Sequence, residues 1–227
     1  WLASSDGEQV RLWNVQSRET IRLLEGHTSH VTHVAFNQAG SLLASASKDH
    51  CIRIWNRETG ALMAVLEGHE DEVNCVCFSP DDQQLVSASA DQTTRIWNVT
   101  GEEEFQLKST DELIYTACFS PDGRRVVSAG SPLVGKHGTV KIWELSSGHV
   151  RTTITSNFGF NSVDFHPDGN HILTSGNGAA AHVWDAESGT EELFLDHEGP
   201  VYGAAFSPSG DRIVTGCGNL VRLWNGE

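Results

Sequence analysis

Between residues 31 and 67 the chain sets four short apolar or β-branched runs, "VTHVAF", "LLASAS", "CIRIW" and "LMAVLE", among polar stretches rich in turn formers. Each run has the length and composition of a short β-strand, and no useful stretch shows the 3.6-residue apolar period of an amphipathic helix. "NQAGS", "SPDDQ", "SPDGR", "HPDGN" and "SPSGD" recur between first and second strands. Proline presets φ there, and Asp or Ser followed by Gly supplies a corner at positive φ, which is hairpin chemistry. "NRETGA" and "ESGTEE" join third strands to fourth in the same manner. Runs such as "VCF" and "IRIW" carry apolar bulk on both parities, so both faces of each sheet are buried. The pattern predicts an all-β protein.

The pattern also repeats. Trp13, Trp55, Trp97, Trp143, Trp184 and Trp224 form one ladder, and Phe36, Phe78, Phe119, Phe165 and Phe206 a second, in step at 40 to 46 residues. A basic residue stands two before five of the tryptophans, with His182 in the sixth place. A sheet buried on both sides and repeated in this way is solved by stacking four-stranded blades about an axis. Labelling the strands a to d, the chain opens in strand b of one unit and stops after strand c of the sixth. That predicts three strands, four blades of four and three more strands, in one domain segment, 1–227. The units are approximately 1–25, 26–67, 68–108, 109–155, 156–195 and 196–227.

Gly26-His27 and Gly68-His69 open the two most similar units. His27 lies 22 residues before Asp49 and His69 22 before Asp91; Ser45 and Ser87 sit four before the Asp, and Trp55 and Trp97 six after it. With "GH" opening and Trp closing each of these units, the chain resembles the WD-repeat (WD-40) β-propeller family over practically its whole length. The resemblance implies four-stranded antiparallel blades in a seven-bladed ring, with six units present and the first and last incomplete. The chain then reads as a piece of a propeller belonging to a longer protein; a second chain supplying the missing edges is the alternative. The resemblance further implies two hydrogen-bonded sets, His27, Ser45, Asp49 and Trp55, and His69, Ser87, Asp91 and Trp97. Each would run from indole N–H through hydroxyl and imidazole to carboxylate, as a structural device. A hydrolase reading of the same trio fails because it occurs twice at identical offsets, and "SASADQTT" lacks the Gly-flanked elbow of many hydrolases. No catalytic residue is read. Departures confine the complete sets to two: the turn "TGCGNL" after Asp196-His197, for example, has no Asp in register.

Charge narrows the partners. Fifteen basic and thirty acidic residues give a formal charge of −15, which argues against nucleic acid and anionic membrane. The five cysteines contain no CxxC pair, so neither a disulfide framework nor a zinc knuckle fits, and a reducing, cytoplasmic compartment follows. "WLASSDGEQV" does not read as a signal peptide. No Gly-rich phosphate loop, HExxH or calcium-loop spacing occurs, and His30, His33 and His50 read as surface histidines, so neither cofactor nor metal is expected.

The resemblance implies that the d–a and b–c loops crowd one face that takes peptides or protein loops. By register, Thr32, Asn74, Tyr115, Asn161 and Tyr202, each four before a ladder Phe, start strand a near that face, joined by Lys48 and Ala90 before the turn aspartates. Glu72, with Glu70, Asp71, Asp111, Glu112 and Glu198, makes an acidic rim suited to a basic or neutral peptide. The long connection "GSPLVGKHGT" (130–139) and Phe158 and Phe160 of "SNFGFN" break the symmetry as a candidate anchor. The expected function is a non-catalytic protein or peptide interaction scaffold, one module of a larger multidomain protein. The alternative is binding of a small ligand or carbohydrate in the central channel.

Overall fold

A computed structural model of the chain describes residues 1–109, 112–132 and 137–226. Twenty-two strands and no helix are found among them. They fall into two compact units, Trp1–Ser109 and Thr110–Glu227. In the first unit, β1 (Leu2–Asp6), β2 (Gln9–Trp13) and β3 (Thr20–Leu24) form a three-stranded sheet. β4 (Val31–Phe36), β5 (Leu42–Ser47), β6 (Ile52–Asn56) and β7 (Leu62–Leu66) form a second sheet, and β8 (Val73–Phe78), β9 (Gln84–Ser89), β10 (Thr93–Asn98) and β11 (Glu103–Lys108) a third. The second unit holds a fourth sheet of β12 (Glu112–Phe119), β13 (Arg125–Pro132), β14 (Gly138–Glu144) and β15 (His149–Ser156). Its fifth sheet comprises β16 (Phe160–Phe165), β17 (His171–Gly176), β18 (Ala180–Asp185) and β19 (Glu191–Asp196); β20 (Val201–Phe206), β21 (Arg212–Cys217) and β22 (Leu220–Asn225) form the sixth. Every neighbouring pair is antiparallel and ordered as in the sequence, the a-b-c-d meander of a propeller blade.

The doubly apolar strands are explained within each unit. In the second sheet Leu43 and Trp55 pack with Val10 and Leu12 of the first, while Ala44, Ala46, Ile52 and Ile54 pack with Val76 and Trp97 of the third. One parity faces the preceding sheet and the other the following sheet. The same holds for the fifth sheet, with Ile172 and Trp184 turned to Val127 and Ile142, and Leu173 and Val183 turned to Val201 and Ile213. Strand d is the outer edge and buries little; in β11 only Leu107 is buried.

The a–b hairpins turn on residues at positive φ. Gly40, Gly123, Gly169 and Gly210 lie at +65°, +69°, +74° and +81°, and in "SPDDQ" Asp82 takes the same corner at +61°. A side chain there is disfavoured, but its carboxylate accepts bonds from Asn37 Nδ2 (2.9 Å), Gln38 N (2.6 Å) and Ala39 N (2.9 Å) of the neighbouring hairpin. The polar corner thus ties the second sheet to the third.

Candidate functional site

The second and third sheets each contain a buried chain of polar side chains. Trp55 Nε1 donates to Ser45 Oγ at 2.9 Å, Ser45 Oγ lies 2.8 Å from His27 Nε2, and His27 Nδ1 lies 2.8 Å from Asp49 Oδ2. A carboxylate only accepts, so His27 carries its proton on Nδ1, and Ser45 donates to Nε2. In the third sheet Trp97, Ser87, His69 and Asp91 repeat the order at 2.8, 2.7 and 2.7 Å. Asp49 also accepts from Thr28 N and Cys51 N, and Asp91 from Glu70 N and Thr93 N, which closes the b–c turn onto the d–a loop. Residues that sequence reasoning passed over complete the sets: Arg53 Nη1 lies 3.1 Å from Asp49, and Thr93 Oγ1 donates to Asp91 at 2.6 Å. The basic residue two before five of the ladder tryptophans was the available signal for Arg53.

Half of this arrangement runs through the other described sheets. Trp13 donates to Ser4, Trp143 to Ser128, Trp184 to Thr174 and Trp224 to Thr215, at 2.8 to 2.9 Å. The imidazole and carboxylate half does not follow. His197 is buried edge-on to Trp224, and its Nε2 has no hydrogen-bond partner among the described residues.

These groups set an acid response. Burial, aided by the Arg53 guanidinium against the opposing Asp49, holds His27 below its ordinary 6.5, and burial with Arg222 does the same for His197. Burial opposes ionisation of Asp49 and Asp91 as the largest single influence. The hydrogen bonds from Thr28 N, His27 and Cys51 N, and from His69, Thr93 and Glu70 N, together outweigh it and lower both below 3.8. A group lowered in the folded state contributes stability that is complete above its unfolded value and lost as pH falls through the folded one. Stability is therefore expected to fall in two stages on acidification, the first below 6.5 from the histidines and the second below 3.8 from the aspartates. Asp164, raised by burial, works against the second stage. Melting temperature against pH checks this: His27→Gln should shrink the upper stage, and the lower one only by the part of Asp49's lowering that His27 supplies, the Asp91 contribution remaining.

The five residues read as starting strand a share a sharper geometric property. Thr32 falls between the pairs Val31↔Ser47 and His33↔Ala46, and Asn74 between Val73↔Ser89 and Cys75↔Ala88. Tyr115 falls between Ile114↔Gly130 and Thr116↔Ala129, Asn161 between Phe160↔Gly176 and Ser162↔Ser175, and Tyr202 between Val201↔Cys217 and Gly203↔Gly216. Each is the extra residue of a β-bulge, one to three places inside its strand. A bulge re-aims a side chain out of the regular alternation. Thr32 spends its hydroxyl on Val73 O and Asn161 its amide on Asn177 Oδ1. Asn74 and Tyr115 are half-buried, and Tyr202 is 64% exposed.

Other positions need correction. Phe160 is not on an exposed rim: it is 0% exposed, in the core with Val140, Ile154 and Val163. "SNFGFN" contains the start of β16, and that start turns the ring inward. Phe158 is half-buried and stacks on His182, which stacks in turn on Trp184. The rim is also less acidic than the composition suggested. Glu72 pairs with Lys48 at 2.9 Å and its carbonyl accepts from Ala90 N; Glu112 lies within β12 and pairs with Lys141 at 3.1 Å. Glu70, Asp71 and Glu198 stay exposed. Asp111 and residues 133–136 of the long connection lie outside the described residues.

Antiparallel meanders repeating in register, each with a tryptophan bonded to a hydroxyl of strand b, define a repeat protein built from β-propeller blades. The family described as WD domain, G-beta repeat (WD40) matches at residues 18–56, 60–98, 101–144, 147–185 and 190–225, and the chain belongs to it. Each match opens at strand d of one sheet and closes at strand c of the next, so the sequence repeat and the spatial sheet are offset by one strand. Similar curated proteins include cilia- and flagella-associated protein 52 of Chlamydomonas reinhardtii, 32% identical over 90 residues, which is 38% of this chain and 15% of that protein. The serine-threonine kinase receptor-associated protein of Dictyostelium discoideum is 32% identical over 89 residues, 38% of this chain and 30% of its own length. Small ribosomal subunit protein RACK1 of Drosophila melanogaster is 28% identical over 88 residues, 38% of this chain and 28% of its own length. The matched segments thus span under a third of each of these relatives.

Proposed function

We propose that the chain is a non-catalytic platform for a protein or peptide partner, with Tyr115 and Tyr202 of the unit Thr110–Glu227 as its main contacts. The observation that carries this is the repeated bulge. The same re-aimed position recurs in five sheets, and in two of them it holds a tyrosine, one of them 64% exposed. Tyrosine gives a partner apolar area with a polar tip at small entropic cost, and interfaces concentrate binding energy in such residues. A nucleophilic role for the Ser-His-Asp sets is disfavoured because Ser45 and Ser87 are 0% exposed and already bonded to both Trp and His. The exposed Glu198 of the same unit favours a basic or neutral partner. One relative is named for its association with a kinase receptor, in keeping with a binding role. We read the chain as one module of a larger protein, since its matches cover 15% to 30% of these relatives, and as cytoplasmic because its five cysteines are odd in number and contain no CxxC pair.

The test is affinity capture from native lysate with wild type and with a Tyr115→Ala/Tyr202→Ala double variant of unchanged melting temperature. A partner held by wild type and lost by the variant is the expected result. Equal recovery would move the contact surface away from the bulges.

A further inference from the structure

We propose that the hairpin between β16 and β17 binds a divalent first-row transition metal, with zinc the reference ion. The ligands are His166 Nδ1, the Asp168 carboxylate and His171 Nδ1. All three stand on one six-residue segment, "HPDGNH", and their donor atoms lie within 4.8 Å of one another. No other group of three or more His, Cys, Asp or Glu among the described residues is so disposed.

The protonation pattern argues for a cation between them. His166 Nε2 lies 3.2 Å from the carbonyl oxygen of Gly210. A carbonyl only accepts, so this nitrogen carries the ring proton and Nδ1 presents a lone pair. Asp168 N–H donates to that lone pair at 3.1 Å, a bond that an ion on Nδ1 would replace. The same Nδ1 also faces Asp168 Oδ1 at 2.9 Å, an approach of two acceptors that a cation relieves. His171 repeats the pattern: Nδ1 lies 2.8 Å from Asp168 Oδ2, and Nε2 lies 3.0 Å from Glu192 Oε2. Each ring thus turns its second nitrogen to an oxygen acceptor, a backbone carbonyl in one case and a carboxylate in the other. That is how protein metal sites fix the tautomer of ligating histidines.

Donor type selects the metal. Two imidazoles and a carboxylate suit zinc and its neighbours, whereas magnesium and calcium want oxygen alone. The three side chains are 22%, 35% and 32% exposed, so an ion can reach them. They line a cavity of about 490 Å³ together with Glu192 and Asp211, which leaves room for water in the remaining coordination positions. The corresponding hairpins have Asn37, Ser79, Ser120 or Ser207 in place of His166, and Leu42, Gln84, Arg125 or Arg212 in place of His171. The site therefore belongs to one blade and is not a by-product of the repeat.

The experiment is calorimetric titration of the whole chain with zinc chloride at neutral pH, for wild type, His166→Asn, His171→Asn and the exposed-histidine control His30→Ala. One saturable equivalent in wild type is expected, weakened by at least about tenfold in either hairpin variant and unchanged in the control. Absence of binding at millimolar zinc would overturn the proposal and leave two imidazolium rings salt-bridged to Asp168. Binding that survives both hairpin variants, or that falls equally in the control, would also overturn it. Should the variants unfold, cobalt-loaded wild type decides by NMR: ring protons of two histidines are shifted at this site, and a count of one or none refutes it.

Discussion

Asp91→Ala is expected to lower the stability of the chain by about 1–3 kcal/mol, the cost of leaving buried polar groups without partners. The Asp91 carboxylate accepts from His69 Nδ1 at 2.7 Å, Thr93 Oγ1 at 2.6 Å, Thr93 N at 2.9 Å and Glu70 N at 3.1 Å. Alanine removes all four acceptor contacts at once. Water can reach Glu70, which is exposed, but not His69, whose side chain is 1% exposed. The damage then passes along the chain, because His69 fixes Ser87 and Ser87 holds the Trp97 indole. In a protein of this size each kcal/mol corresponds to roughly 2–4 °C in melting temperature, so the loss is easily measured. An internal comparison separates the network from mere burial. His197 is as buried as His27, yet its Nε2 has no partner among the described residues. His197→Ala should therefore cost clearly less than His27→Ala. Equal losses, or an unchanged melting temperature in Asp91→Ala, would show that packing alone holds these sheets.

Gly176→Ser should also destabilise by about 1–3 kcal/mol, as overpacking of a close contact does. Serine looks harmless from the repeat, since Ser47 and Ser89 occupy the same register opposite Val31 and Val73. There the hydroxyls bond the carbonyls of Ser29 and Glu72. At Gly176 a Cβ would sit 2.0 Å from the carbonyl oxygen of Gly159 and 3.0 Å from Cα of Phe160. Backbone cannot swing aside as a side chain can. The Gly159 carbonyl also accepts from Asn177 N at 3.0 Å, and Phe160 is wholly buried, so any shift costs a hydrogen bond and core packing together. Gly130, 2.2 Å from Leu113 O by the same construction, should respond alike. Thermal unfolding of Gly176→Ser beside Ser89→Gly is the check. A neutral Gly176→Ser would mean that the d–a segment of the fifth sheet yields without loss.

The glycine contacts flank two of the bulges. Gly130 and Gly176 pair with Ile114 and Phe160, the residues immediately before Tyr115 and Asn161. Close backbone packing on one side thus adjoins the bulge on the other.

Much of this architecture was legible in the chain itself. The short apolar runs, the turn motifs and the spacing of Trp and Phe determine the strands and their antiparallel order, because these rest on neighbours within one repeat, and apolar bulk on both parities signals sheets packed on both faces. The spacing of Gly-His, Ser, Asp and Trp marks the residues that the structure brings into two chains of hydrogen bonds. Contacts between repeats were another matter. The pairing of Lys48 with Glu72 of the next sheet offsets charge on a loop that its acidic residues alone made negative, and within the fourth sheet Lys141 does the same for Glu112. Phe160 belongs to the core and not the rim because it already lies in strand β16, paired with Gly176. The bulges, and the approach of His166 and His171 to one carboxylate, depend on where an extra residue is absorbed and on which carbonyl a neighbouring sheet presents. A one-dimensional pattern specifies which residues alternate; only the packed sheets decide what each side chain meets.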